Sequence, residues 1–276
     1  MQIEINIPAP CEKALEILER HGYEAYLVGG CVRDSILGRE PGDWDICTNA
    51  LPEEMIAAFA DYRLVLNGLK HGTVTVIIMH TAIEITTYRI DGEYEDNRHP
   101  KEVTFTSDLA LDLSRRDFTI NALAYNQGKG VVDCFGGLED LANGVIKAVG
   151  DPYKRFHEDG LRILRAVRFA CVLGFTYDER TKDAVRDCNY LLRNIATERI
   201  QVELNKILLS PNVRQGLEDM YQLGLYSYFL PEMCHTYGFA QHNPFNCYDV
   251  FGHIVRSVEL IEPDLTLRLT MFLHDI

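Results

Sequence analysis

The sequence predicts an α+β head followed by an all-α remainder, and three observations carry that prediction. Before residue 150, β-branched runs alternate with short amphipathic helices. Those runs are bounded by turn pairs such as Asn67-Gly68, His71-Gly72 and Asp91-Gly92. Beyond Pro152 the strand signal fades, and apolar residues recur at helical spacing, as in Leu161, Leu164, Val167 and Cys171. The expected divisions are a mixed-sheet head over 1–150, a helical neck and body over 151–232, and a further helical segment over 233–276.

Taken in order, Cys11–His21 is an amphipathic helix with Ala14, Leu15 and Leu18 on one side, and Ala25–Val28 is a short apolar strand. Val32–Leu37 reads as a brief helix after the glycines, and Trp44–Cys47 as a strand. Pro52–Phe59 is a helix, with proline at an early position and Glu53-Glu54 in the first turn, where acids oppose the helix dipole favourably. Leu64–Leu66, Thr73–Met79 and Ile83–Tyr88 are strands or hairpins, giving a sheet with helices on one face. Further on, Thr181–Leu192, Arg199–Leu208 and Val213–Leu223 keep the helical period.

Composition narrows the function. The chain has 276 residues, is 47% hydrophobic and 25% charged, and so is a globular protein with real cores. Its start lacks a basic stretch followed by an apolar one, so no signal peptide is expected. No apolar run approaches the roughly 18 residues that a membrane span needs. Eight cysteines without a C-x-x-C pair read as reduced core residues of a cytoplasmic protein. A net charge of −14 argues against a generic nucleic-acid binder. Residues 151–215 nevertheless hold twelve Lys/Arg against nine Asp/Glu, so a polyanion could still lie on one strip.

The chemistry concentrates in "GGCVRDSILGREPGDWDI" (29–46). Alternate strand residues share a face, so Asp43 and Asp45 are expected to project together, with Trp44 and Ile46 opposite. Their Cβ atoms would stand about 6–7 Å apart, from where the carboxylates can converge on one or two Mg²⁺ ions. Mg²⁺ favours a couple of carboxylates plus water and phosphate oxygens. Surface strands also carry paired acids for solubility alone, and Gly29-Gly30 alone would suit an ordinary tight turn. Together they say more. Bare backbone N–H groups after a strand can approach a triphosphate, and Arg33 one turn later can fork onto phosphate oxygens. Strand, glycine pair, Arg-Asp, short helix and D-x-D in sequence are what nucleotidyl transfer needs.

The stretch "LVGGCVRDSILGREPGDWDI" resembles the head signature of class II tRNA nucleotidyltransferases, the CCA-adding enzymes, and of bacterial poly(A) polymerases, both within the DNA polymerase β-like nucleotidyltransferase superfamily. "RRDFTINALAY" (115–125), "DCFGGLEDL" (133–141), "EDGLRILRAVRFA" (158–170) and "ERI" (198–200) resemble the later motifs, in order. The resemblance implies a polymerase β-like head, a helical neck, and template-independent transfer of CMP and AMP from CTP and ATP to the tRNA 3′ end. Asp43 and Asp45 would hold two Mg²⁺ ions, with Glu84 in "AIEITTYR" as a candidate third carboxylate. Gly29, Gly30 and Arg33 would meet the triphosphate. Arg116 would lie near the nucleotide, oriented by the adjacent Asp117. Asp159 and Arg162 would read the Watson–Crick edge of the incoming base, while Arg165 and Arg168 anchor phosphate or brace Asp159. These three arginines, spaced by three, form a slanting ridge, which could equally be a solvated face; lysine would serve solvation as well, and all three are arginine.

"DGEYEDNRHPKEVTFTSDLALDL" (91–113) is polar early, is not expected to be rigid, and looks like the flexible loop of full CCA-adding enzymes. Poly(A), A-only and CC-only addition use the same motifs and stay open, as does an inactive RNA-binding relative. Towards the end, His253 and then His274-Asp275 resemble the opening of a metal-dependent HD phosphohydrolase motif. A further Asp from a later helix is needed, so the reading is a truncated HD-type helical segment with an incomplete site and no phosphohydrolase activity. His242 in "HNPFN" reads as a packing or capping residue.

Overall fold

The structure is a computed structural model that describes residues 3–92, 103–240 and 248–276. His242, Cys247 and residues 93–102 of the expected loop lie outside the described residues. The chain divides into two compact units near residue 150. The first takes in the sheet; the second takes in both 151–232 and 233–276.

In the first unit, helix α1 (Ala9–Arg20) opens at Pro8 and buries Cys11, Ala14, Leu15, Ile17 and Leu18. Strand β1 (Ala25–Val28) is buried at all four positions and leads through Gly29 into α2 (Gly30–Ile36). Next come β2 (Asp45–Thr48) and α3 (Pro52–Ala58), where the Leu51 backbone N–H donates to Glu54 Oε2 at 2.7 Å. Strands β3 (Arg63–Val65), β4 (Thr73–Ile78) and β5 (Thr81–Thr87) follow. Then come β6 (Arg89–Asp91), β7 (Val103–Phe105), α4 (Leu109–Ser114), β8 (Leu123–Asn126), β9 (Gly130–Asp133) and α5 (Gly137–Asn143).

Seven strands form one mixed sheet in the order β3-β4-β5-β2-β1-β8-β9, while β6 and β7 pair separately. Every neighbouring pair is antiparallel except β2 and β5, which run parallel with Asp45 opposite Glu84. Burial of all of β1 means that the sheet centre is covered on both faces, not on one. A cluster of Tyr26, Val28, Cys47, Tyr88, Leu113 and Val149 supplies one cover. The second half of the expected loop is ordered as β7 and α4, with Asp108 Oδ1 accepting from Ala110 N at 2.8 Å to cap the helix.

In the second unit, β10 (Val145–Ile146) precedes α6 (Pro152–Glu158) and α7 (Leu161–Leu173). Strand β11 (Thr176–Tyr177) pairs in parallel with β10, so this unit is helical but not purely so. Helices α8 (Glu179–Asp187), α9 (Thr197–Leu208), α10 (Val213–Gln222), α11 (Tyr226–Phe229), α12 (Val250–Leu260) and α13 (Leu265–Leu273) complete it. The helix expected over 181–192 ends at Asp187 and gives way to a 3₁₀ stretch, Asn189–Asn194. Cys11, Cys31, Cys47, Cys171 and Cys188 are buried and free, but Cys134 is exposed, so not every cysteine is a core residue. Burial pushes the Cys11, Cys171 and Cys188 thiols up to about 11, which keeps them protonated and inert. No helix among the described residues is long and apolar enough to cross a membrane.

Candidate active site

The first unit places its acids and its glycine turn on neighbouring strands. Asp45 is the first residue of β2, and Asp43 lies just before it, outside the strand. The expectation that both sit on the strand is therefore corrected: ladder pairing begins only at Asp45, after Gly42 and Trp44. The parallel register with β5 gives Asp45 the partner that the sequence could not assign, since paired residues of adjacent strands share a face. Asp43, Asp45 and Glu84 are all exposed, and none has a side-chain hydrogen bond or ion pair among the described residues. Partial dehydration raises the Asp45 pKa; the Arg116 charge opposes that rise, and Glu84 and Asp43 add to it. The three carboxylates thus share one electrostatic neighbourhood, although their oxygens do not close to within 4.8 Å of one another. Like charges this near repel, and a divalent cation bound among them would relieve that repulsion.

Gly29 turns the chain at φ 81 and ψ −130, a conformation that side-chain-bearing residues rarely adopt. It also lets Arg116 approach, because Nη1 lies 3.0 Å from where a Cβ on Gly29 would stand. Asp112 Oδ2 accepts from Arg116 Nη2 at 3.5 Å, whereas Asp117 Oδ1 accepts from Phe118 N at 2.8 Å and Asn121 Nδ2 at 3.0 Å. The carboxylate that Arg116 bonds is therefore Asp112, four residues back on α4, and not the adjacent Asp117.

Arg33 lies on α2, one turn after the glycine pair. Only 8% exposed, it donates from Nε and Nη2 to the Asp34 carboxylate at 2.8 and 2.9 Å, and from Nη1 to Asn121 Oδ1 at 2.6 Å. These bonds hold the Arg33 guanidinium against the glycine turn, beside Asp34 and Asn121. Its Nη2 lies 3.7 Å from the Cβ position of Gly30.

In the second unit, Asp159 sits between α6 and α7, where its Oδ1 caps Leu161 N at 3.1 Å. Arg199 of α9 clasps the Asp159 carboxylate with two bonds, of 3.3 and 2.9 Å. Arg162, Arg165 and Arg168 form the incompletely buried stripe of α7, together with Val172. Arg162 Nη1 donates to Glu158 Oε2 at 2.7 Å and to the Arg155 carbonyl at 3.0 Å. Arg168 Nε donates to the buried Glu203, which Arg165 Nη1 also approaches at 3.9 Å. Arg168 further lies over the Phe169 ring, 3.9 Å from its centre. Bracing of Asp159 thus comes from Arg199, and Arg165 and Arg168 answer to Glu203.

Near the end, His253 of α12 and His274-Asp275 after α13 bring three ligand atoms within 4.8 Å of one another. His253 Nε2 and His274 Nε2 stand 3.8 and 3.3 Å from Asp275 Oδ2. Among the described residues this is the one such triad.

Reasoning from sequence missed Asp112, Asn121, Arg199 and Glu203. Asp112 and Arg116 carried a signal, the i,i+4 spacing of opposite charges on a helix. Arg199 lay inside a motif whose role had no residue-level reading, and nothing local marked Glu203 or Asn121.

A mixed sheet with exposed acids beside a glycine turn, followed by a helical unit bearing an arginine stripe, defines a nucleotidyltransferase head and neck. Residues 25–147 match the family described as the poly A polymerase head domain, and residues 174–236 that described as the probable RNA and SrmB-binding site of polymerase A. The CCA-adding enzyme of Anoxybacillus flavithermus is 49% identical over 219 residues, which are 79% of this chain and 54% of that protein. The crystal structure of Bacillus stearothermophilus CCA-adding enzyme in complex with CTP is 41% identical, with a TM-score of 0.73, covering 81% of this chain and 54% of that one. A tRNA nucleotidyltransferase complexed with a primer tRNA and an incoming ATP analog is 27% identical, with a TM-score of 0.66, covering 88% of this chain and 66% of that one. The chain belongs to the nucleotidyltransferase family that unites poly A polymerase heads with CCA-adding enzymes. It spans about half the length of the curated relatives it matches.

Proposed function

We propose that this chain transfers CMP and AMP from CTP and ATP to the 3′ end of tRNA without a nucleic-acid template, acting in the cytoplasm. The observation that carries the reading is the set of exposed, unpartnered carboxylates on and beside β2 and β5, next to the Gly29 turn. Hard oxygen donors with open solvent around them suit Mg²⁺, which keeps waters and takes phosphate oxygens. Asp43 and Asp45 would hold it, with Glu84 as a third donor. When bound, such ions lower the pKa of a primer hydroxyl and neutralise the departing pyrophosphate.

The chain's own groups do the rest. Backbone N–H groups of the Gly29–Gly30 turn and the Arg116 guanidinium hold the triphosphate, while Arg33 keeps the turn in shape. Asp159 accepts a proton of an exocyclic amino group, and Arg162 donates to a ring nitrogen or carbonyl. The Arg199 clasp supports this role by fixing the plane of the Asp159 carboxylate. A good bidentate contact of this kind discriminates by about 1–3 kcal/mol. The arginine stripe and the helices beyond it serve the acceptor arm of tRNA.

The test is primer extension on tRNA trimmed of its CCA end, with labelled CTP and ATP supplied separately and together. Addition of C and then A supports the reading. Extension of a poly(A) primer in preference, or of tRNA by ATP alone, replaces it with poly(A) synthesis or A-only addition, and binding without transfer makes the chain an inactive relative.

A second proposal rests on the triad. His253, His274 and Asp275 hold a divalent transition-metal ion, because two imidazoles and one carboxylate already converge there. Equilibrium dialysis against Zn²⁺ or Co²⁺ should give one site per chain that His274→Ala removes; unchanged binding in that variant defeats the assignment.

A further inference from the structure

We infer that Asp112 is the positioning residue for the nucleotide-binding arginine: it holds the Arg116 guanidinium against the Gly29 turn. The inference rests on the proposed nucleotidyl-transfer reading and adds a residue that the reading does not need in order to stand.

Asp112 is fully buried, at 0% exposure, beside a core cluster that contains Cys47, Tyr88 and Leu113. A buried carboxylate needs partners to offset its lost hydration. Asp112 has three: Arg89 N at 3.2 Å, Arg115 Nε at 3.0 Å and Arg116 Nη2 at 3.5 Å. A purely structural role would be met by the first two, the backbone amide and the closely seated Arg115. Arg115 also approaches Asp91, at 3.7 Å, and belongs to that knot of charges around β6. The Arg116 contact is the longest of the three and the only ion pair that Arg116 makes among the described residues.

Its geometry is that of a tether. The bond restrains one nitrogen, Nη2, while Nη1 lies against the glycine turn. A long arginine side chain loses considerable rotamer freedom when it meets a phosphate, and a buried anchor reduces that loss beforehand. Loss of Asp112 would therefore leave Arg116 present but unaimed.

The test is a double-mutant cycle on Asp112 and Arg116, read twice: as the equilibrium affinity for CTP with Mg²⁺, and as kcat and KM for transfer to trimmed tRNA. Asp112→Asn and Arg116→Ala are each expected to lower kcat/KM by about 10–100-fold, the scale of a misplaced binding group. In the Arg116→Ala background, Asp112→Asn should cost less than about twofold more, because the two act through one guanidinium. Where Asp112→Asn melts below the assay temperature, Asp112→Glu replaces it; it keeps the charge, moves the guanidinium, and should show the same coupling. Losses that multiply in the double variant overturn the inference, as does an Asp112→Asn protein with unchanged kinetics and affinity. Should the native chain bind CTP without transferring it, the proposed function fails, and coupling in CTP affinity still decides the role of Asp112. Absence of CTP binding by the native chain overturns both.

Discussion

Replacing Gly29 with alanine perturbs two things that the structure allows to be separated. The first is backbone strain, since φ is 81 at this residue and an L side chain in the left-handed half of the map costs about 1–2 kcal/mol. The second is a collision, because the new Cβ would stand 3.0 Å from Arg116 Nη1. A guanidinium can usually yield a few tenths of an ångström, but this one is tethered to Asp112 through a bond already 3.5 Å long. A shift of Nη1 away from the new Cβ therefore disturbs a bond to Asp112 that already lies at the outer limit of hydrogen-bond range. Gly22 supplies the control: its φ is 86, and nothing lies within 4 Å of its Cβ position. Gly22→Ala and Gly29→Ala should both lower the melting temperature, by about 2–8 °C on the usual scale of 2–4 °C per kcal/mol. Only Gly29→Ala should also lower kcat/KM for CTP, by about tenfold, which corresponds to ~1.4 kcal/mol. Differential scanning fluorimetry and single-nucleotide extension measure the two effects. Equal transfer rates for the two variants would refute the argument that the glycine exists to admit Arg116.

Two further outcomes follow from the carboxylates. Dehydration and neighbouring acids raise the Asp45 pKa, so the folded chain binds that proton more tightly than the unfolded chain does. The stability associated with it is present below the ordinary carboxylate pKa and is lost as pH rises through the raised value. Asp45→Asn should accordingly melt above the native chain near neutral pH in chelator, with the gain vanishing under acid, and Mg²⁺ should raise the melting temperature of the native chain alone. A variant that melts lower at neutral pH contradicts this. In the second unit, Arg199→Gln frees the Asp159 carboxylate, and the preference for CTP over UTP should fall by about 1–3 kcal/mol in relative kcat/KM with little change in the melting curve; an intact preference removes Arg199 from base selection.

How far the sequence could be read depended on the range of the interaction. Alternation and turn residues located β1 and β4 to within a residue, because both are local signals. The β4 reading ran one residue long for a definite reason. Met79 and His80 adopt positive φ of 49 and 63 in a two-residue hairpin, and neither residue type announces that conformation. Trp44 made its segment look like strand one residue too early, and extending the alternation back from Asp45 carried Asp43 onto the same face although it lies before β2. The parallel register that sets Asp45 against Glu84 joins residues 39 positions apart through a crossover, and no local pattern encodes it. Partners of arginine divide the same way. Arg116 finds Asp112 at i−4, legible on a helix, whereas Arg199 with Asp159 and Arg168 with Glu203 meet at separations of 40 and 35.

Acids in this chain sort by environment into two kinds, and that sorting tells ligand from brace better than sequence position does. Asp112 and Glu203 are buried to 0% and 3% exposure, and each is matched by guanidinium groups. Burial without such partners would be prohibitive, so their charge is spent inside the fold. Asp43, Asp45 and Glu84 are exposed, crowded and unmatched, although arginine is plentiful and Arg116 lies close enough to influence Asp45. Had the fold needed their charge only for solubility, spacing them apart would have avoided the repulsion at no cost to packing. Asp45 and Glu84 on adjoining strands, with Asp43 just before β2, are the arrangement that the proposed cation would complete, and Arg116 stands close enough to act on the phosphate that such a cation would bring.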